Sequence, residues 1–329
     1  MKVAFAILGA FVTLSCASAE ETILKFGIAS PPTIHVNSQV LLPWAQRVNE
    51  RGAGVVKVEV YAGTGVVQMN NTYDRTLNDV VQIASSLHSN IPGKFPRSDV
   101  ITLPFLTESA EIASIAGWRL YKTGLLDPEY DQVIALYISG FAPSTIHLGS
   151  QPRSNDDLRG LKVIAGGKVL ADAVTRLSGA PVTFNLSETY TALQRHTADG
   201  IAMQWTAFSP FKLAEVTRYH IEAALGSAPA FIFMSKKKFA ALPAAGQKAL
   251  TDASGEAQSR TYGAYWMALD AEGRKDYEGK PDHKIVTLTA AQTQTYRERL
   301  QKVVDGWIAA TPGSDKAVAQ FKTLLAEVK

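Results

Sequence analysis

Six histidines, one cysteine and a glycine turn before a lysine are the residues from which chemistry in this chain would start. The histidines are His35, His88, His147, His196, His220 and His283. A bound transition metal would call for imidazoles at a recurring spacing, as in H-E-x-x-H, or for cysteines beside them. No such pair occurs. The cysteine is Cys16, close to the N-terminus, so the rest of the chain has no thiol for catalysis, disulfides or metal ligation. The G-x-S-x-G turn that presents a serine nucleophile is absent. Gly166-Gly167-Lys168 looks like the end of a phosphate loop, but Lys162 stands where the first glycine belongs and Val169 where Ser or Thr belongs. The two glycines either let the backbone approach a ligand closely or simply make the turn. Asp and Glu are numerous, and acid–base chemistry would need two of them paired in space, which spacing alone does not give.

In α/β proteins, small ligands bind beyond strand carboxyl ends and beside helix N-termini. The periodicity places several polar residues there. Residues 22–29 read as a buried strand, 40–51 as an amphipathic helix with Trp44 and Val48 on one face, and 55–61 as an alternating strand. That βαβ order predicts a parallel sheet covered by helices. A helical stretch at 73–79 leads to a strand over 80–89 that ends in polar Ser86, His88 and Ser89. A helix over 108–124 and a strand over 132–140 follow. After a polar stretch at 150–157 a second unit begins. Its strands fall at 161–165, 180–185 and 199–205, and its helices at 168–178 and 187–196. Residues 228–235 read as a strand returning to the first unit. From Pro243 onward the pattern is mostly helical, with Trp266 and Trp307 as packing anchors. Two α/β lobes joined by crossing strands imply a cleft, where small-molecule sites form. His35 and His88 lie just beyond strand ends, whereas the other histidines read as surface or satisfied structural residues. Trp205 is suited equally to stacking on a ligand and to filling a core.

With 46% hydrophobic residues in a chain of 329, there is material for one large or two medium domains. Thirty-three Lys and Arg against 30 Asp and Glu are scattered without a basic block, which gives a nucleic-acid role little support. Lys2, the apolar run 3–12 and Ala17-Ser18-Ala19 have the form of a secretory signal peptide cleaved after Ala19. The run is too short for a membrane span, which takes ~20 apolar residues. A lipid anchor on Cys16 is the alternative, disfavoured by Thr13 where a lipobox prefers Leu or Val.

Several phrases, in order, resemble the solute-binding proteins of TRAP transporters, the DctP-like family: LKFGIASPP, LPWAQRVNERGAGVVKVEVYAG, LPFLTESAE, DDLRGLKV, SETYTALQRHTADG and FKLAEVTRYH. The likeness runs from about residue 22 to about residue 304. It implies an α/β, two-lobed periplasmic-binding-protein-like fold with a ligand cleft between the lobes and a long bracing helix. The expected division is a signal peptide at 1–19, lobe I from 20–145 plus 230–329 with the C-terminal helices, and lobe II from 146–229. It further implies a periplasmic receptor, not an enzyme, without cofactor or metal. Such a receptor closes on a small organic solute and hands it to a membrane permease driven by an ion gradient.

Family members hold an organic-acid carboxylate with an arginine two residues after GLK, and here that position is Ile164. A second arginine used by some members falls at Ser144, the asparagine after DG at Met203, and an aromatic before SE-Y at Leu186; Trp205 matches a tryptophan of one branch. A carboxylate buried without a charged partner costs several kcal/mol, and bidentate arginine is the strongest remedy. The expected ligand is therefore neutral, amine-bearing or partly apolar, held by His35, His88 and Gln68 and packed on Trp205 and Met203. Leu87, Ser89 and Gln204 complete the candidate set. The alternative is a monocarboxylate paired with Lys168, His88 or the helix N-terminus near Gly167. An exported enzyme, or a sensing or scaffold protein on the same fold, is the alternative from another class.

Overall fold

The computed structural model describes residues 20–107 and 109–328. The expected signal peptide, Cys16 and the cleavage site after Ala19 lie outside the described residues. The first sheet contains β1 (Thr22–Ile28), β2 (Val56–Ala62), β3 (Ile83–Leu87), β4 (Val133–Gly140) and β10 (Pro229–Ser235), in the order β2-β1-β3-β10-β4. The second contains β5 (Thr145–Leu148), β6 (Lys162–Ala165), β7 (Ala180–Val182), β8 (Gly200–Met203), β9 (Tyr219–Glu222) and β11 (Lys284–Thr287), in the order β11-β9-β5-β8-β6-β7. Each sheet anchors one lobe. Lobe I carries α1 (Leu42–Arg51), α2 (Thr72–Leu77), α3 (Ala110–Lys122), α7 (Lys236–Ala240), α8 (Ala244–Asp252) and α11 (Ser314–Val328). Lobe II carries α4 (Gly167–Arg176), α5 (Thr189–Gln194), α6 (Phe208–Phe211) and α10 (Ala290–Ala310), and α9 (Gly255–Lys275) runs along both.

Alternation builds a core on each face of the first sheet. Along β10, Phe231 and Phe233 face one apolar cluster, while Ala230, Ile232 and Met234 face the other. β4 breaks this rhythm. Its register with β10 jumps between Ile232 and Phe233, so that Leu136 and Tyr137 both face the same side. This is the signature of a β-bulge, in which one extra residue turns two neighbouring side chains to one face. The sheet is mixed, which corrects the parallel sheet predicted above. β1 runs parallel to β2 and β3, but β10 is antiparallel to both its neighbours because it enters from the other lobe.

Other differences are local. α3 starts at Ala110, not 108, because the Ser109 side chain caps it by accepting a hydrogen bond from the Ile112 N–H at 3.3 Å. The four-residue strands β5, β9 and β11 have no counterpart in the periodicity reading. The stretch 230–329, expected to belong to lobe I, divides between the lobes. β11 pairs with β9, and Tyr296, Leu300 and Val303 of α10 complete a lobe II core, while Phe321 and Leu325 of α11 sit in a lobe I core.

The 21-residue α9 is the brace. Gly263 brings its backbone against α3, where a Cβ would stand 2.6 Å from the Ala110 carbonyl oxygen. Gly273 does the same against the Trp205 carbonyl oxygen of lobe II at 2.8 Å. Ion pairs of Glu256 with Arg119 and Arg260 with Glu111 tie it to lobe I, and Arg274 with Glu222 ties it to lobe II.

Two extended connections also cross between the sheets. The Ser144 N–H donates to the Gly226 carbonyl at 2.9 Å, and the Phe141 N–H donates to the Ala228 carbonyl at 3.1 Å. Gly226 has φ +99°, and a Cβ there would lie 1.7 Å from the Thr102 carbonyl oxygen. Gly226→Ala is expected to lower stability by more than about 2 kcal/mol, since it combines backbone strain with a clash against main chain. Urea unfolding checks this, and a change below 0.5 kcal/mol, roughly the noise of a surface substitution, would contradict it.

Candidate functional site

Aromatic side chains from distant segments meet where the lobes join. Phe141, in the connection from β4 to β5, packs on Trp266 of α9 with ring centroids 4.2 Å apart. Tyr265 meets Trp266 edge-on at 5.1 Å. His35, exposed in the loop after β1, stacks on Tyr265 at 5.7 Å, and its Nδ1 is 2.9 Å from the Tyr265 hydroxyl. Burial pushes the Tyr265 hydroxyl up to about 12, so it stays protonated as a donor or acceptor. Leu87, at the end of β3, is half-buried and packs on the lobe I core. On the lobe II side, just beyond the paired ends of β5 and β8, the Gln204 Nε2 donates to the Ser144 Oγ at 3.3 Å. His35 thus meets α9 at Tyr265, while Ser144 and Gln204 meet each other at the start of lobe II. Sequence reasoning missed Phe141 and Tyr265, and treated Trp266 only as an anchor. The signal that was available is the short helical spacing of Tyr262, Tyr265 and Trp266.

The other candidates are placed differently. Gln68, Ser89 and Leu186 are exposed, and the Gln68 N–H donates to Asn71 Oδ1 at 2.8 Å. Ile164 is buried in a lobe II cluster with Ile201, Leu193 and Trp205. Trp205 fills the core, 2% exposed, against Phe208, His147 and His220. The brace holds it there. Asp270 of α9 accepts the Thr206 N–H at 3.2 Å, and burial raises its carboxyl to about 6 against the pull of the Thr206 and Trp205 N–H donors. Met203 is half-buried, and its carbonyl accepts from His147 Nε2 at 3.1 Å.

That carbonyl orders a row of histidines. Because Met203 O can only accept, the His147 proton sits on Nε2, and Nδ1 is left to accept from the His220 Nδ1–H at 3.0 Å. His220 Nε2 then accepts from the His283 Nδ1–H at 3.0 Å. Burial lowers all three imidazoles, His220 to about 3, so the row is neutral.

His88 also belongs to the core. Its short 3-10 turn tucks the ring between Phe95, stacked at 4.8 Å, and Phe231, edge-on at 4.6 Å. Nε2 lies 3.4 Å from the Tyr130 hydroxyl, and Nδ1 3.9 Å from an Asp99 carboxylate oxygen. Burial depresses the imidazole to about 3. The start of α4 is the opposite case. Gly166, Gly167 and Lys168 are exposed, no side chain caps the helix, and Lys168 pairs with Asp172 at 2.5 Å. Gly167 has φ +82°, which a side chain would strain. Among the described residues, no cluster of three or more His, Cys, Asp or Glu gathers as a metal would require, and no helix is long and apolar enough to cross a membrane.

A family model described as bacterial extracellular solute-binding protein, family 7 (DctP), matches residues 27–310. The fold is similar to a TRAP periplasmic solute-binding protein from Bordetella bronchiseptica with bound (R)- and (S)-mandelate. That likeness has a TM-score of 0.81 and 25% identity, over 94% of this chain and all of that one (100%). It is also similar to a TRAP solute-binding protein from Rhodoferax ferrireducens in complex with copurified benzoate, with a TM-score of 0.82 and 26% identity over 93% of this chain and 98% of that one. A Comamonas testosteroni protein named outer membrane transporter protein TsaT is 25% identical over 262 residues, 77% of this chain and 75% of that one.

His88 generates a pH test. Its imidazole takes a proton in the unfolded chain below its ordinary 6.5 but in the folded chain only below about 3, so stability falls as pH drops through that window. His88→Phe fits an aromatic surround and should remove about 1.4 kcal/mol per pH unit of that loss between pH 6 and 4. Urea unfolding at several pH values measures the slope. A slope equal to the parent's would mean that His88 is charged in the fold.

Proposed function

The chain belongs to family 7 of the bacterial extracellular solute-binding proteins and is a periplasmic TRAP-type receptor for small organic molecules, not an enzyme; we propose that its own ligand is a neutral or amine-bearing, ring-containing solute held where the lobes join. What supports this reading is the aromatic cluster of Phe141, Tyr265 and Trp266, with Phe141 three residues before Ser144, whose Oγ accepts from Gln204 Nε2. A flat apolar ring gains from burial and from offset or edge-on packing, about 0.5–1.5 kcal/mol per aromatic pair beyond area alone. His35 and Gln204 supply hydrogen-bonding groups. The position that carries an arginine in resembling proteins is Ile164, buried in lobe II, and an isolated carboxylate there would go unpaired.

A second reading is an aromatic monocarboxylate. Two observations favour it. The similar Bordetella and Rhodoferax proteins hold mandelate and benzoate, and the uncapped start of α4 leaves N–H donors open to an anion. Both readings include export with removal of residues 1–19 and delivery of the solute to a TRAP membrane permease.

Thermal unfolding of residues 20–329 with benzyl alcohol, benzamide, benzylamine, benzoate and glucuronate separates them. A ligand at about a thousand times its dissociation constant adds ~4 kcal/mol. The largest shifts should come from the uncharged or amine-bearing ring compounds, and Trp266→Ala should weaken the best of them at least ~tenfold, about 1.4 kcal/mol. A shift with benzoate alone would establish the second reading. Shifts with glucuronate alone, or none at all, would overturn both.

A further inference from the structure

A separate pocket of about 320 Å³ lies between α10 and α11, sharing no residue with the aromatic junction. Phe105, Leu106, Leu300 and Val304 form its apolar walls, and Arg297 and Lys322 stand over it. That volume is at the lower end of the ~300–1,000 Å³ typical of small-molecule sites. The walls come from both lobes. Phe105 and Leu300 pack with a lobe II core, and Leu106 and Val304 with a lobe I core. Both cations are exposed, and neither takes part in an ion pair among the described residues.

Phe105 is the unusual member. It sits at φ +57°, a conformation that costs a bulky residue energy and that persists only where its surroundings impose it. Its N–H donates to the Ala224 carbonyl at 2.9 Å, on the connection between β9 and β10. The Arg297 guanidinium lies over its ring at 4.7 Å. The strained backbone therefore presents an aromatic face directly beneath a cation.

We propose that this pocket is a second ligand site, for a small amphipathic organic anion. Its apolar body packs on Phe105, Leu106, Leu300 and Val304, and its carboxylate or sulfonate pairs with Arg297 and Lys322. The site goes beyond the junction reading and does not depend on it. Because its walls belong to both lobes, an occupant stabilises the lobe arrangement that keeps them together, and by reciprocity its binding is linked to that of the solute at the junction.

The probe is 8-anilino-1-naphthalenesulfonate, titrated by fluorescence into residues 20–329. One saturable site is expected. The double variant Arg297→Gln/Lys322→Gln should bind it at least ~tenfold more weakly (about 1.4 kcal/mol) with an unchanged melting temperature. Gln301→Trp, which fills the pocket from an exposed position and keeps both charges, should do the same. Trp266→Ala should leave the probe's affinity unaltered, and the double variant should still bind the best compound of the thermal scan. The inference is overturned if the double variant and Gln301→Trp both bind the probe within twofold of the parent, or if Trp266→Ala is the change that abolishes it.

Discussion

Two close crossings of one helix hold the molecule in its two-lobed form. α9 meets α3 through Gly263 and the Trp205 turn through Gly273, and at each point any side chain would strike backbone. Between those glycines lie Tyr265, Trp266 and Asp270. The first two form the junction's aromatic wall, and the third caps the Trp205–Ala207 turn of lobe II. One helix therefore touches both lobes and carries two of the aromatic residues gathered where they join. Its fit is steric, and the ion pairs along it are partly exposed and add little each.

How much of this was legible in the sequence depended on element length and on distance along the chain. Strands of seven or eight residues, such as β1 and β10, show their alternation plainly. β5, β9 and β11 have four residues each, too few for a period to emerge, and they are defined by the partners they pair with. His35 follows β1 in a loop, as its position after a strand implies, and stacks on Tyr265 of α9. His88 follows the same rule of position, yet its turn folds inward under Phe95 and Phe231. Nothing local distinguishes the two. The aromatic wall escaped notice because Phe141 and Trp266 stand far apart in the chain and are joined only by the path of α9.

The buried histidines of lobe II illustrate a different kind of order. His147, His220 and His283 come from β5, β9 and the turn before β11, so neighbouring strands carry them into register. A single carbonyl, Met203 O, fixes the proton position on the first ring and, through it, on the other two. Each ring donates once and accepts once within the row, except at the outer end. A neutral row of this kind satisfies polar groups in the interior without burying charge, which is the condition under which such networks rigidify a core.

The position of β10 has a consequence for the order of folding. It is the fourth of five strands in its sheet, lying between β3 and β4, yet it is synthesised only after the strands β5 to β9 of the other lobe. Until then β3 and β4 have no partner between them, and the aromatic pair Phe231–Phe233 is missing from the core they enclose. The N-terminal lobe therefore cannot complete itself as the chain emerges and must wait for a pairing distant in sequence, the kind of contact that slows folding most. Until the chain has made the second lobe's strands, the facing edges of β3 and β4 keep their backbone hydrogen-bonding groups unpaired, so one lobe's sheet is finished only by a strand made after most of the other's.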